Sequence, residues 1–217
     1  MQKTWEGDNR VLLQQAAKFL LKNFKAVFLK NRKPAETCEF IQEYKENSDE
    51  LMKITDDLRD IPNLIKILKA NAAIMLIEGF KRLQGKMDEM GPFDGFTTSL
   101  PFNVNRFVVA YGDLFTAQNF LKRVEDCKCA KTKEIFDKIF VLWINKTIIS
   151  RSSDFRRDNL ISSQQLEISK TTLVELCKEL RHEIIPLSNI VTIYEFDTLG
   201  SPFSFKDAYH RFLNQVR

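Results

Sequence analysis

A chain of 217 residues is long enough to bury a core without disulfide or metal staples, and its 33 Lys+Arg against 29 Asp+Glu leave a net charge of only +4, too mild and too dispersed to mark a nucleic-acid-binding protein. Hydrophobic residues at 44% and charged residues at 29% exclude a disordered chain. With 7 Gly and 6 Pro against 18 Phe, the composition favours helices over the glycine-rich loops that cradle phosphates.

The motifs that are missing narrow the chemistry further. There is no GxGxxG, no GxxxxGK[ST] and no HExxH. The two histidines, His182 and His210, are far apart in sequence and read as surface helix residues. Cys38, Cys127, Cys129 and Cys177 are irregularly spaced, which points to a reducing setting rather than a disulfide framework. Cys127-x-Cys129 has no second ligand pair at a standard spacing, so no metal site is expected. No apolar run is long enough for a membrane span, and Met1 to Glu6 has no signal-peptide core.

The first helix follows Asp8 or Asn9, either a good N-cap, and carries Val11, Leu12, Ala16, Phe19, Leu20, Val27 and Phe28 near the helical period. The charged stretch from Lys30 to Pro34 ends it. Residues from Ala35 to about Asp60 read as a connector with short helical pieces. Pro62 suits the first turn of a helix that runs through Leu64, Leu68, Met75 and Leu83 to about Met90, and Gly91-Pro92-Phe93-Asp94-Gly95 breaks it. A helix is expected from about Phe102 to Asp126, with Gly112 inside it as a candidate close crossing. Another spans about Thr132 to Ser150, and its wide apolar face suits a central position. Asn145-Lys146-Thr147 forms a glycosylation sequon but falls on that buried helix. Arg151 to Arg157 reads as a solvated loop. Ser162 or Ser163 caps a helix through Leu176 to Ile184, which Pro186 stops or kinks. A short apolar run at Ile190 to Tyr194 and a last helix near Lys206 to Gln215 complete the chain. The expected fold is all-α, a helical bundle of about five main helices.

The string Thr4-Trp5-Glu6-Gly7-Asp8-Asn9-Arg10-Val11-Leu12-Leu13-Gln14-Gln15, continued by Ala16-Ala17-Lys18-Phe19-Leu20-Leu21-Lys22, resembles a segment of the acyl-CoA oxidases in which an aromatic residue, Glu, Gly and a polar residue precede a helix. The related acyl-CoA dehydrogenases share its aromatic-Glu-Gly core. More weakly, Ser153-Asp154-Phe155 is similar to a Gly-Asp-Phe element of the oxidases, Leu180 to Phe196 to the helix before their Val-Asp-Ala-Phe stretch, and Leu199-Gly200-Ser201 with Tyr209 to their closing segment. The resemblance covers nearly the whole chain and is most specific from Thr4 to Leu21. That so much chain follows Glu6 favours the oxidases, whose extra C-terminal helical domain the dehydrogenases lack.

The resemblance implies that Glu6 is the catalytic base of a flavin-dependent oxidation of fatty acyl-CoA to trans-2-enoyl-CoA, with O2 reduced to H2O2 in fatty acid β-oxidation. It implies that Gly7 contacts substrate, that Asp8 and Asn9 contact FAD, and that the enzyme is a peroxisomal homodimer; without that address the chain would be cytoplasmic. The residue types suit this chemistry. A carboxylate desolvated beside an acyl chain gains basicity, Trp5 would exclude water, and Gly7 would let the backbone approach the substrate. The implied division is 1–30 as the end of the catalytic helical domain, 31–61 as a connector and 62–217 as the C-terminal helical domain. The departures are equally specific. The glycine-rich loop before the Glu motif, the β-domain and the upstream helices have no counterpart here. Phe203-Ser204-Phe205-Lys206 replaces a Gly-Arg-Tyr-Asp-Gly stretch, and the chain ends Asn214-Gln215-Val216-Arg217 rather than Ser-Lys-Leu. The expectation is therefore the C-terminal part of an oxidase with little activity and poor FAD binding on its own; the alternative is a non-catalytic helical dimerisation or interaction domain derived from one.

Overall fold

A computed structural model describes residues 9–183 of the chain, without the side chains of 9–11 and 102. Every regular element among them is helical: α1 (Asn9–Phe28), α2 (Glu39–Leu51), α3 (Ile61–Met90), α4 (Pro92–Ser99), α5 (Asn105–Glu125), α6 (Ala130–Ser150), α7 (Ser152–Phe155) and α8 (Ser163–Leu180). Short 3-10 turns occupy Glu36–Cys38, Arg157–Asn159 and Arg181–Glu183. The all-α expectation holds, with α1, α3, α5, α6 and α8 as the long helices. The Ile190 to Tyr194 run and the helix expected near 206–215 lie outside the described residues. The chain divides into two compact units, 1–177 and 178–217. The described part of the second consists of the last turn of α8 and the 3-10 turn that follows it. No described helix is long and apolar enough to cross a membrane.

Helix α3 is the spine of the first unit. Asp60 caps it, its carboxylate accepting the Asn63 N–H at 3.0 Å, and Pro62 sits in the first turn where its missing N–H costs nothing. Leu64, Ile67, Leu68, Ala72, Ala73 and Met75 are buried on all sides of the helix, because α1, α2, α4, α5, α6 and α7 pack around it. Helix α6, whose wide apolar face suggested the centre, buries Phe140, Val141, Ile144 and Ile148 but flanks α3 rather than replacing it.

The break expected over Gly91–Gly95 is confined to Gly91. Its φ of +89° turns the chain sharply, and Pro92 then starts α4. A Cβ on Gly95 would lie 2.6 Å from the Met87 backbone, so α4 folds back on α3 in backbone contact. The helical run therefore begins well before Phe102: α4 passes through a π turn at Leu100–Val104, which contains Pro101, into α5. The close crossing is not at Gly112 either, where an added Cβ would meet nothing within 4 Å. It is at Gly79, whose Cβ would stand 2.5 Å from the ring of Phe107 on α5.

Buried amides secure the connectors. Asn23 donates to Phe19 O and accepts from the Ala35 N–H, holding the loop after α1. Asn63 donates to Thr55 O and Asp57 O while accepting from the Thr55 N–H. Asn145, fully buried, donates to Leu58 O and Val141 O, which accounts for the sequon as a packing residue. At the start of α8, Ser162 Oγ accepts the Gln165 N–H and Gln165 Oε1 accepts the Ser162 N–H, a reciprocal capping box.

Candidate functional site

The Glu motif immediately precedes α1 in the sequence. Glu6, Gly7 and Asp8 lie outside the described residues; Asn9 opens the helix, with its side chain outside the description. The structure thus fixes the element that follows the motif and not the motif's side chains. The first turn of α1 carries no acidic residue, and the positive end of the helix dipole lies there.

Beside this end of α1 runs a groove of about 530 Å³. Leu12, Leu13 and Ala16 of α1 form one wall, and Val108, Tyr111 and Thr116 of α5 the other. Leu12 and Val109 on its rim are 38% and 36% exposed, and Phe115 nearby is 42% exposed, so apolar surface continues outward. Burial holds the Tyr111 phenol above its ordinary pKa, so it stays neutral. Asp113, the acid lining the groove, is ion-paired with Arg151. The groove can hold a flat or elongated apolar body.

The stretch from Arg151 to Arg157 corrects the solvated-loop reading. It is a short helix and a 3-10 turn, anchored by the fully buried Phe155. Arg151 pairs with Asp113, Asp154 with Arg106, and Arg157 with Glu78, which Arg82 also approaches at 3.6 Å. The three pairs and the buried Phe155 therefore clamp this stretch to α3 and α5. Burial lowers the Arg106 and Arg151 guanidinium pKa values, and Arg157 beside Arg106 pushes the same way. Sequence spacing gave no sign of these pairs, because each joins residues at least 38 positions apart.

The cysteines differ in reactivity. Cys38 is fully buried, and desolvation pushes its thiol up to about 11. Cys129 is exposed at the start of α6, where hydrogen bonding from Thr132 lowers its thiol pKa. Among the described residues no three His, Cys, Asp or Glu side chains come together as a metal site.

The acyl-CoA oxidase family matches residues 60–217 of the chain. The acyl-coenzyme A oxidase of Candida glabrata is 26% identical over 230 residues, covering 100% of this chain and 29% of that protein. Human peroxisomal acyl-coenzyme A oxidase 3 is 21% identical and covers 94% of this chain and 30% of its own. The crystal structure of acyl-CoA oxidase 3 from Yarrowia lipolytica superposes with a TM-score of 0.80 at 17% identity, over 99% of this chain and 31% of that one. Acyl-CoA oxidase-1 of Caenorhabditis elegans, complexed with FAD and ATP, gives a TM-score of 0.75 at 16% identity, over 98% of this chain and 32% of that one. The chain thus spans about three tenths of the length of the curated relatives it matches. With the family matched from the cap of α3 onward, and a helical fold shared with its solved members, the chain belongs to the acyl-CoA oxidase family.

Proposed function

We propose that the chain is the C-terminal part of a flavin-dependent acyl-CoA oxidase. The reaction converts fatty acyl-CoA and O2 to trans-2-enoyl-CoA and H2O2, in a peroxisomal homodimer. Residues 1–30 close the catalytic helical domain, 31–61 connect, and 62–217 form the C-terminal helical domain. The observation that carries this reading is the family match over residues 60–217, joined to a relative matched over the full length of the chain.

In this reading Glu6 is the base. Its carboxylate takes the α-proton of the thioester, and the apolar surface of Trp5 and the acyl chain desolvates it, which brings its pKa toward a working value. The Glu6 backbone N–H donates to the thioester carbonyl as negative charge develops on its oxygen. Gly7 leaves room for the substrate against the backbone. FAD, when bound, supplies the hydride acceptor for the β-hydrogen and the route for electrons to O2. The head of α1 and the apolar groove beside it would form one edge of its site. Asp8 and Asn9 would hold it there. Those residues make a contact edge rather than a complete cradle, so the 217-residue chain alone is expected to bind FAD weakly.

The test is Glu6→Gln in the enzyme with its flavin domains. Turnover should fall by at least about a hundredfold, the lower bound for losing a general base, with the flavin absorbance unchanged. Turnover within about twofold of the parent removes Glu6 from this role.

A further inference from the structure

A second groove lies on the opposite flank of α1, and its charge pattern is unlike the rest of the described surface. Lys18, Lys22 and Lys25 are spaced i, i+4 and i+7, so they leave α1 along one stripe, and Lys30 and Arg32 extend the row past the helix end. All five line a groove of about 770 Å³, in which Asp88 is the acidic lining residue. The floor is apolar: Leu21 from α1, Phe80, Leu83 and Met87 from α3, and Phe96 from α4. Elsewhere in the described residues Arg106, Arg151 and Arg157 each face a carboxylate. The five groove cations enter none of the ion pairs found there. Lys25 instead lies over the Phe80 ring, 5.9 Å from its centroid.

Three properties select the occupant. The helical part of the row, Lys18 to Lys25, is about 10 Å long at the helical rise, and Lys30 and Arg32 carry it further, too long to converge on one phosphate or carboxylate headgroup. A duplex nucleic acid, which presents its phosphates outward and keeps its bases stacked inside, would leave the phenyl, leucine and methionine floor uncovered. A bilayer surface favours a convex apolar face, whereas this floor is recessed between three helices. A helix with carboxylates at i, i+4 and i+7 repeats the rise of the lysine row, and an apolar face beside them covers the floor.

We propose that this groove docks an acidic amphipathic helix of a partner polypeptide, its carboxylates laddered along Lys18, Lys22, Lys25 and Lys30 and its apolar face on Phe80, Leu83, Met87 and Phe96. The proposal is independent of the oxidase reading, since it uses neither Glu6 nor the groove at the head of α1.

The probe is a fluorescein-labelled synthetic helix of about 18 residues, with Leu on one face and Glu at i, i+4 and i+7 beside it, titrated with the full chain and followed by anisotropy. Saturable binding is expected. It should weaken at least about tenfold in the Lys18→Glu/Lys22→Glu/Lys25→Glu variant and several-fold between about 50 mM and about 500 mM salt. These lysines are exposed, so circular dichroism of the variant should match the parent. Met87→Glu, on the floor, should weaken binding as well. No saturable binding overturns the proposal, as does equal affinity for the charge-reversed variant. Equal affinity for a scrambled peptide of the same composition overturns it too, since register is then irrelevant. Lysine-dependent pelleting with phosphatidylserine vesicles, without peptide binding, reassigns the groove to membranes and also overturns it.

Discussion

Helices α1 and α3 are both long, yet they relate to the molecule in opposite ways. Helix α3 buries side chains all round its first half, and six helices enclose it. Helix α1 buries a single stripe, Ala17, Leu20, Phe24 and Val27, at helical spacing. Its two flanks each face an open groove: an apolar one toward α5, and one rimmed by cations toward α3 and α4. Helix α3 is built for stability, while α1 is held by one face so that its other faces stay available for contact. A helix that carries its buried residues in one stripe tolerates change elsewhere; a helix buried all round does not.

The largest expected effect tests that contrast directly. Phe107 is fully buried against Gly79 of α3, and Phe107→Ala should destabilise the chain by about 4 kcal/mol in urea denaturation, through lost burial and the cavity left behind. Leu12→Ala, at a position 38% exposed on α1, should cost less than about 1 kcal/mol. Comparable losses at the two sites would place α1 inside the structural hub and remove the distinction.

The connector after α1 belongs to the hub, and pH should reveal it. Cys38 is fully buried in the core cluster, and desolvation raises its thiol from 9.0 to about 11. The folded chain therefore keeps a proton that the unfolded chain releases above pH 9. The resulting stability is complete below pH 9 and is lost progressively as pH rises to about 11. Two pH units correspond to about 2.7 kcal/mol. The parent should lose about 2–3 kcal/mol more between pH 9 and pH 11 than Cys38→Ala does. Identical pH profiles for the two proteins would mean that water reaches the thiol.

Much of this organisation was legible in the sequence because it rests on local chemistry. Asp60 and Pro62 announce the start of α3, Ser162 with Gln165 that of α8, and periodicity reveals the long helices. The illegible parts are those that depend on distant partners. Gly91–Gly95 reads as a loop because two glycines and a proline cluster there, yet only Gly91 needs a positive φ, while Gly95 serves contact with the Met87 backbone. Arg151 to Arg157 reads as a solvated loop because its ion-pair partners, Glu78, Arg106 and Asp113, meet it only through tertiary packing. At the candidate site the Glu motif stands out by its residue types, whereas the groove beside it requires α5 to return against α1, which no local pattern encodes.

The smallest predicted effects concern two helical glycines that look alike in sequence and differ in surroundings. At Gly79 an added methyl would press on the Phe107 ring at 2.5 Å, and that ring is fully buried in the core. Gly79→Ala should therefore cost about 1–3 kcal/mol, the overpacking penalty exceeding the gain in helix propensity. At Gly112 nothing lies within 4 Å of the added methyl. Gly112→Ala should stabilise α5 by roughly 0.5–1 kcal/mol, because alanine loses less backbone freedom on folding. Chemical denaturation should give midpoint shifts of opposite sign. A shared sign would mean that the crossing is wrongly located: two losses would put a second tight contact at Gly112, and two gains would show that Phe107 moves freely. Gly112 also lines the groove at the head of α1. There the added methyl narrows the space, so a ligand of that groove should bind Gly112→Ala less tightly even as the fold gains stability.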